Sequence, residues 1–192
     1  MKLEHFVEKY LGKTTNIDGV YGYQCVDLVV AYLVDVFGLP VGAYGNAIDY
    51  WTSTHPTLLS KFDRIHSSDT RPGDIVILNG LAGNPYGHIG IAVSGGETDH
   101  FLMLEQNGAR LGGDVQPGDE VRTRLIPRAR IAGLLRPKNS SNTSIPKYYT
   151  IKKGDTFWAL NVRFGYPQGT IDRLNPTLHP RRLRIGQKIR IG

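Results

Sequence analysis

The sequence predicts an α+β fold in two modules: helices followed by an antiparallel sheet, then a short strand–helix–helix–strand unit. Three observations predict it. Apolar residues recur at helical spacing up to Gly38 and at alternating spacing from Asp74 onward, and helices first with strands after is an α+β pattern. A stretch rich in Ser, Asn and Pro, RPKNSSNTSIPK at 136–147, cannot bury enough apolar surface to fold and reads as a linker. Charge also changes sign there. Residues 1–137 hold 12 Lys+Arg against 15 Asp+Glu (net −3), and residues 138–192 hold 11 against 2 (net +9), which together give the +6 of the whole chain. The predicted boundaries are therefore 1–137, a linker at 138–147, and 148–192.

Each element has a local reason. MKLEHFVEKYLGKT places acids inside an apolar pattern, so residues 2–11 form an amphipathic helix and not a secretory leader. A second helix spans 25–37, with Val26, Val29, Val30, Leu33 and Phe37 on one broad face, and Gly38 and Pro40 end it. AIDYWTS suggests a third, short helix. Strands follow at 74–78 after the Pro72-Gly73 turn, at 88–93, at 100–106, and more weakly near 121–126 and 131–135. Beyond the linker the pattern gives strand 148–151, helix 156–164, helix 168–175 and strand 187–191.

Composition bounds the function. The apolar share of 40% and charged share of 21% are those of an ordinary globular protein. No apolar run approaches the ~20 residues needed to cross a bilayer. A single cysteine cannot form an internal disulfide or a paired-Cys zinc site. Nothing suggests a coiled coil or a long apolar patch, so a monomer is expected. The basic end favours a polyanionic partner: nucleic acid, an anionic membrane or an anionic cell wall.

Cys25 is that single cysteine, in YGYQCVDLVV. A lone cysteine is commonly a small buried hydrophobe. Here it falls on the first turn of a predicted helix, where unpaired N–H groups and the helix dipole favour a thiolate nucleophile. A nucleophile needs a base, and the base needs an orienting group. In GHIGIAVSGGETDHFLMLEQNG, a hairpin turn centred on Gly96/Glu97 pairs residues whose numbers sum to 193, placing His88 opposite Glu105. Opposed residues share a face, and alternation brings Asn107 to that face too. Glu105 or Asn107 then holds the imidazole in one tautomer. Ile89, Ile91, Leu102 and Leu104 take the opposite, core-facing side, and the small Gly90 and Ala92 beside His88 leave room for substrate. The alternative is an ordinary surface His–Glu pair, since a one-residue slip in register destroys the match. The other histidines, His5, His55, His66, His100 and His179, have no metal-ligand spacing.

YGYQCVDL, RPGDIVILNG, YGHIGIAV and LEQNG, in that order, resemble a CHAP domain, a cysteine- and histidine-dependent amidohydrolase/peptidase of papain-like topology common in bacteriophage endolysins. The resemblance covers roughly residues 1–137. It implies Cys25 as nucleophile, His88 as general base, Glu105 as orienting carboxylate and Asn107 as an accessory polar group. It also implies attack on a peptidoglycan amide, with an acyl-enzyme released by water and backbone N–H groups near Cys25, helped by Gln24, stabilising the oxyanion.

NIDGVYGYQCVD places Asn16, Asp18, Val20, Gly22 and Asp27 at positions 1, 3, 5, 7 and 12 of a loop, the ligand spacing of a Ca2+ loop. The competing reading is an ordinary Asn/Asp/Gly turn. Tyr21 stands where such loops have Gly, and Asp27 where they have Glu. Some CHAP endolysins bind calcium in such a loop, so the resemblance favours the site. Asn16 in place of an acid implies weaker binding.

YTIKKGDTFWAL, FGYPQGTIDRLNP and IGQKIRI are similar to a LysM domain, a module that binds N-acetylglucosamine-containing glycans. The resemblance places a sugar groove between the turn Gly154, Asp155, Thr156, Phe157 and the loop Pro176, Thr177, Leu178. Phe157 and Trp158 divide core and rim duty. Asn161-Val162 departs from the small residues common there. Arg181, Arg182 and Arg184 add attraction to wall anions or are solvated surface charge.

Together these imply a phage-type endolysin acting on the peptidoglycan of a Gram-positive host, made in the host cytoplasm and released to the wall. Endopeptidase specificity is favoured over N-acetylmuramoyl-L-alanine amidase, because calcium-loop relatives include such enzymes. The rival classes are a non-catalytic LysM wall-binding protein with an inert Cys25, and a bacterial remodelling hydrolase. Nucleic-acid binding is disfavoured, because the tail lacks interleaved aromatic and basic residues.

Overall fold

The computed structural model describes residues 1–53, 55–93, 99–108, 120–138, 148–164, 166 and 169–191, without the side chains of 162 and 163. The expected turn at Gly96/Glu97 and residues 139–147 of the expected linker lie outside the described residues. The chain divides into two compact units, Met1–Ser140 and Ser141–Gly192.

In the first unit, α1 (Leu3–Tyr10), α2 (Cys25–Phe37), α3 (Asp49–Thr52) and α4 (Pro56–Leu59) precede a six-stranded antiparallel sheet. Its strands are β1 (Phe62–Ile65), β2 (Ile75–Leu78), β3 (His88–Ala92), β4 (His100–Glu105), β5 (Arg122–Pro127) and β6 (Ile131–Pro137). They are ordered β1-β6-β2-β3-β4-β5, so β6 returns to lie between β1 and β2. Helix α2 begins at Cys25 because Asp27 reaches back, its Oδ2 accepting the Gln24 N–H at 2.7 Å as half of a capping box. It ends at Gly38, whose φ of 65° lets the Leu39 N–H turn back to the Leu33 carbonyl at 3.1 Å. Its apolar side buries Leu28, Val29, Ala31, Tyr32 and Leu33 against the sheet residues Ile75, Ile77, Ile89, Ile91, Leu102 and Leu104. A second, smaller cluster covers the opposite sheet face, with Val76, Leu78, Ala92, Phe101, Met103 and Ile126 among its members.

The β3–β4 register differs from the expected one. Ile91 pairs with Leu104 and Ala92 with Met103, a sum of 195 rather than 193. A shift of two residues is one full pleat, so His88 and Glu105 stay on the same face as diagonal neighbours and not as a directly opposed pair. The space expected beside His88 is filled. A Cβ at Gly90 would stand 2.5 Å from the Leu104 carbonyl oxygen and 3.0 Å from Met103 Cγ, and Ala92 is fully buried.

The second unit pairs β7 (Tyr148–Thr150) antiparallel with β8 (Lys188–Arg190) and carries α5 (Phe157–Arg163) and α6 (Thr170–Leu174). Ile151, Phe157, Leu160, Phe164, Ile171, Ile189 and Ile191 form its core. Two buried asparagines tie it together. Asn161 Oδ1 accepts the Ile171 N–H at 2.9 Å, and Asn175 both accepts from Arg190 N–H (2.9 Å) and donates to Arg190 O (2.7 Å). Asn161 thereby satisfies an α6 first-turn donor, a task no small residue at that position could perform. No helix among the described residues is long and apolar enough to cross a membrane.

Candidate active site

Strand β3 starts at His88 and the antiparallel β4 ends at Glu105, so both residues stand at one end of the sheet, where α2 begins with Cys25. The chain reaches His88 through Gly87, whose φ is 73° and where a Cβ would meet the Leu78 carbonyl oxygen at 2.5 Å. His88 Nε2 lies 2.7 Å from Glu105 Oε2. The Cys25 thiol also acts on the imidazole and favours its charged form. With Nε2 engaged by the carboxylate, Nδ1 is the nitrogen left to face the sulfur.

Electrostatics fix the charge states. Burial works against a charged His88, but hydrogen bonds to Cys25 and Glu105 outweigh it and raise its pKa from 6.5 to about 9. Burial likewise works against a charged Glu105. His88 first and Arg124 second reverse that effect and hold its carboxyl below its ordinary range. Glu105 is fully buried, and its oxygens also meet Arg124 Nε at 2.8 Å and Arg122 Nε at 3.3 Å. Both arginines come from β5, where Arg122 pairs with Glu105 and Arg124 with Met103. The sequence reading missed them. The available signal was RTR, whose alternation in a strand beside β4 puts two cations on the Glu105 face.

Gln106 was also missed. It is fully buried. Its Oε1 accepts the Thr15 N–H at 2.7 Å, and its Nε2 donates to Thr15 O (2.7 Å) and Gln24 O (3.0 Å). It thereby ties the end of β4 to the residue before Cys25. Asn107 adopts a left-handed φ of 55° and lines a cavity of about 270 Å3 with His88, Asn79, Arg124 and Arg130. At Gly108 an added Cβ would overlap the Glu105 carboxylate and stand 2.6 Å from His88 Nε2, so only glycine fits. A larger cleft, about 650 Å3, is lined by Gln24 and Val26, the chain neighbours of Cys25, and by Tyr44 and Tyr50.

The 16–27 loop, the expected cation site, already engages its side-chain oxygens within the loop. Asn16 Oδ1 accepts the Gly19 N–H and Asp18 Oδ1 the Val20 N–H, both at 2.8 Å, while Asp27 accepts from Ile17 and Gln24. Each of these oxygens keeps a second lone pair. Burial pushes the Asp27 carboxyl up and the Asp18 charge adds to that, so the two acids repel across the loop. Tyr21 takes the left-handed φ of 58° at the sixth loop position, where glycine was expected, and Gly22 follows at 76°. Among the described residues no three His, Cys, Asp or Glu side chains cluster, so the loop offers two acids and one carboxamide. Oxygen donors of this kind are the ones a hard cation takes.

In the second unit, Gly154 has a φ of 89° and is exposed, as are Thr156, Pro176 and Thr177. Asp155 accepts the Lys152 N–H at 2.7 Å and the Tyr149 hydroxyl at 2.8 Å, and Thr156 Oγ1 accepts the Ala159 N–H at 3.0 Å. Leu178 is half-buried against the core. The Phe157 ring is packed in the core and Trp158 is 67% exposed, so the two divide core and rim duty as expected.

A thiol on a helix terminus, an imidazole beside it and a buried carboxylate behind, on a helix-and-antiparallel-sheet scaffold, define a cysteine–histidine–glutamate site. Comparison with known proteins shows what each segment is similar to. The chain carries a CHAP domain over residues 14–107 and a LysM domain over residues 149–192, and it is homologous to staphylococcal phage endolysins. It is 27% identical to the endolysin PlyTW of Staphylococcus phage Twort over 153 residues, 78% of this chain and 32% of that protein. It is 33% identical to the endolysin LysK of Staphylococcus phage K over 92 residues, 48% of this chain and 19% of that protein. The crystal structure of the wild-type endolysin LysIME-EF1 matches with a TM-score of 0.60 and 30% identity, covering 72% of this chain and 64% of that one. The chain therefore spans a third or less of these curated relatives and just under two thirds of the solved one.

Proposed function

We propose that the protein is a peptidoglycan hydrolase of the endolysin type, in which the first unit cleaves an amide and the second holds the enzyme to wall glycan. The observation that carries this reading is the Cys25–His88–Glu105 chain at the start of α2, inside a CHAP segment joined to a LysM segment. Cys25 Sγ attacks the amide carbon while its proton resides on His88 Nδ1. The charge that develops on the acyl oxygen meets the Cys25 backbone N–H, one of the donors an α-helix leaves unpaired at its start. His88 then protonates the leaving amine and afterwards deprotonates the water that releases the acyl group. Glu105 keeps the imidazole oriented and stabilises its cation, and Arg122 and Arg124 hold Glu105 ionised. Acting on the wall after release is the corresponding place of action.

Asn16, Asp18 and Asp27, with the Val20 and Gly22 carbonyls, are the proposed holders of Ca2+. Bound there, the ion would neutralise the two loop acids and fix the segment that leads into Cys25. The proposed glycan contacts are the Gly154–Thr156 turn, with Trp158 beside it, and the Pro176–Leu178 loop.

The test is clearing of purified Gram-positive walls by the native protein, Cys25→Ala and Glu105→Gln. Clearing by the native protein alone, with all three retained on the walls, is expected. Equal clearing by Cys25→Ala would refute the nucleophile. Retention without clearing by the native protein would leave a wall-binding protein.

A further inference from the structure

The cleft lined by the chain neighbours of Cys25 contains a polar atom that pairs with no described residue. Tyr50, on α3, is 1% exposed, and its hydroxyl is buried with no hydrogen-bond partner among the described residues. Leaving such a group unpaired destabilises a fold, and a phenylalanine would fill the same space without that cost. The ring is held rigidly. Tyr44 packs against it at 5.7 Å between centroids and His55 at 6.4 Å. Short bonds brace α3 itself, Asn46 N–H to Asp49 Oδ2 at 2.8 Å and Ile48 N–H to the Tyr86 carbonyl at 2.9 Å. Tyr50 lines the same cleft as Gln24 and Val26, which flank the nucleophile, and Cys25 packs against the cluster to which Tyr50 belongs. Burial first, and then the neighbouring Cys25, Tyr44 and Asp27, push the phenol well above its ordinary range. It therefore stays a protonated donor.

We propose that the Tyr50 hydroxyl is a catalytic hydrogen-bond donor to the acyl oxygen of the substrate, completing with the Cys25 backbone N–H the site where negative charge develops. This rests on the hydrolase reading above. As the Sγ–C bond forms, the carbonyl π pair moves onto oxygen, and that oxygen accepts hydrogen bonds from Tyr50 and from Cys25 N–H. No proton leaves Tyr50. When the tetrahedral species collapses, the C–N bond breaks, the amine takes its proton from His88, and the oxygen returns to a carbonyl. The orphaned hydroxyl thus finds its partner only with substrate present, an arrangement that favours the transition state over the free enzyme.

Tyr50→Phe tests this in the full chain. The measurements are initial rates on solubilised peptidoglycan across concentrations, the Tm, and the rate of Cys25 alkylation by iodoacetamide. Alkylation displaces iodide without creating an oxyanion, so it reports the Cys25–His88 pair alone. The expected result is a fall in kcat of about 10²–10³-fold, the usual effect of losing one such donor. KM, Tm and alkylation rate should stay near those of the native protein, with Tm unchanged or higher. An unchanged kcat, a loss confined to KM, or a fall in kcat matched by slower alkylation or lower Tm would overturn the assignment. A native protein that releases no fragments but alkylates normally would instead overturn the hydrolase reading beneath it.

Discussion

His88 is pulled toward the charged state by both of its partners, and this makes the site's pH behaviour predictable. With its pKa raised from 6.5 to about 9, its contribution to stability is complete below pH 6.5 and is lost as pH rises through about 9. The Glu105 carboxyl is held below 4.5, so its contribution is present above that value and lost as pH falls through its depressed pKa. Thermal unfolding should therefore show a stability plateau between these limits with decline on both sides. Because Cys25 and Glu105 both raise the His88 pKa, Cys25→Ala should move the His88 NMR titration down toward 6.5, and so should Glu105→Gln. An unmoved midpoint in both variants would contradict the coupling. Glu105→Gln should also lower kcat by roughly 10²–10⁴-fold, the range for a lost orienting carboxylate. Gly108→Ala should be as damaging as a change in the triad itself. Its methyl occupies the place of the His88–Glu105 bond, and displacing a catalytic group by about 1 Å costs on the order of 10²-fold.

At the scale of elements, the ends of strands and helices carry the chemistry and their middles carry the fold. Asp74, just before β2, is buried and bidentate with Arg136 of β6, through Nε at 3.0 Å and a terminal nitrogen at 2.7 Å. This bond holds the long-range strand between β1 and β2. Arg136→Ala leaves a buried charge unmatched, so urea unfolding should register a loss of about 3–5 kcal/mol with the residual native fraction still active. Three of the four first-unit helices and five of the six strands were legible because their patterns are local: α2 from its apolar face and Gly38, β2 to β6 from alternation and turns. The face shared by His88 and Glu105 was legible too, since a register error of two preserves parity. The register itself was not, because alternation fixes which face a residue takes and not which residue stands opposite it. β1 escaped notice because FDRI buries only Phe62 fully and gains its pairing from β6 across some seventy residues of chain. Arg122, Arg124, Gln106 and Tyr50 were hidden for the same reason. Their roles arise from what tertiary pairing sets beside them, and a buried unpaired hydroxyl has no sequence signature.

For the whole molecule, the charge division assigns separate tasks: −3 on residues 1–137 and +9 on residues 138–192. Attraction to wall anions is screened by salt, whereas glycan contacts made by hydrogen bonding and apolar packing are not. Retention of the full chain on walls should weaken but persist as salt rises from about 0.1 to about 1 M, where the screening length falls from ~10 to ~3 Å. Removal of residues 141–192 should abolish retention at either salt while leaving slow cleavage of soluble fragments. Salt-independent retention would assign binding to the glycan groove alone. The most direct measurement of the central claim is mass spectrometry of fragments released from purified Gram-positive walls by the native protein and by Cys25→Ala, each with and without a calcium chelator. The native protein should release fragments with new amide-derived ends, fewer under chelation, and Cys25→Ala none. Stem or cross-bridge ends would mean an endopeptidase, and glycan freed of its peptide at the lactoyl group an amidase. The same fragments from Cys25→Ala would contradict the account and leave Cys25 a buried hydrophobe.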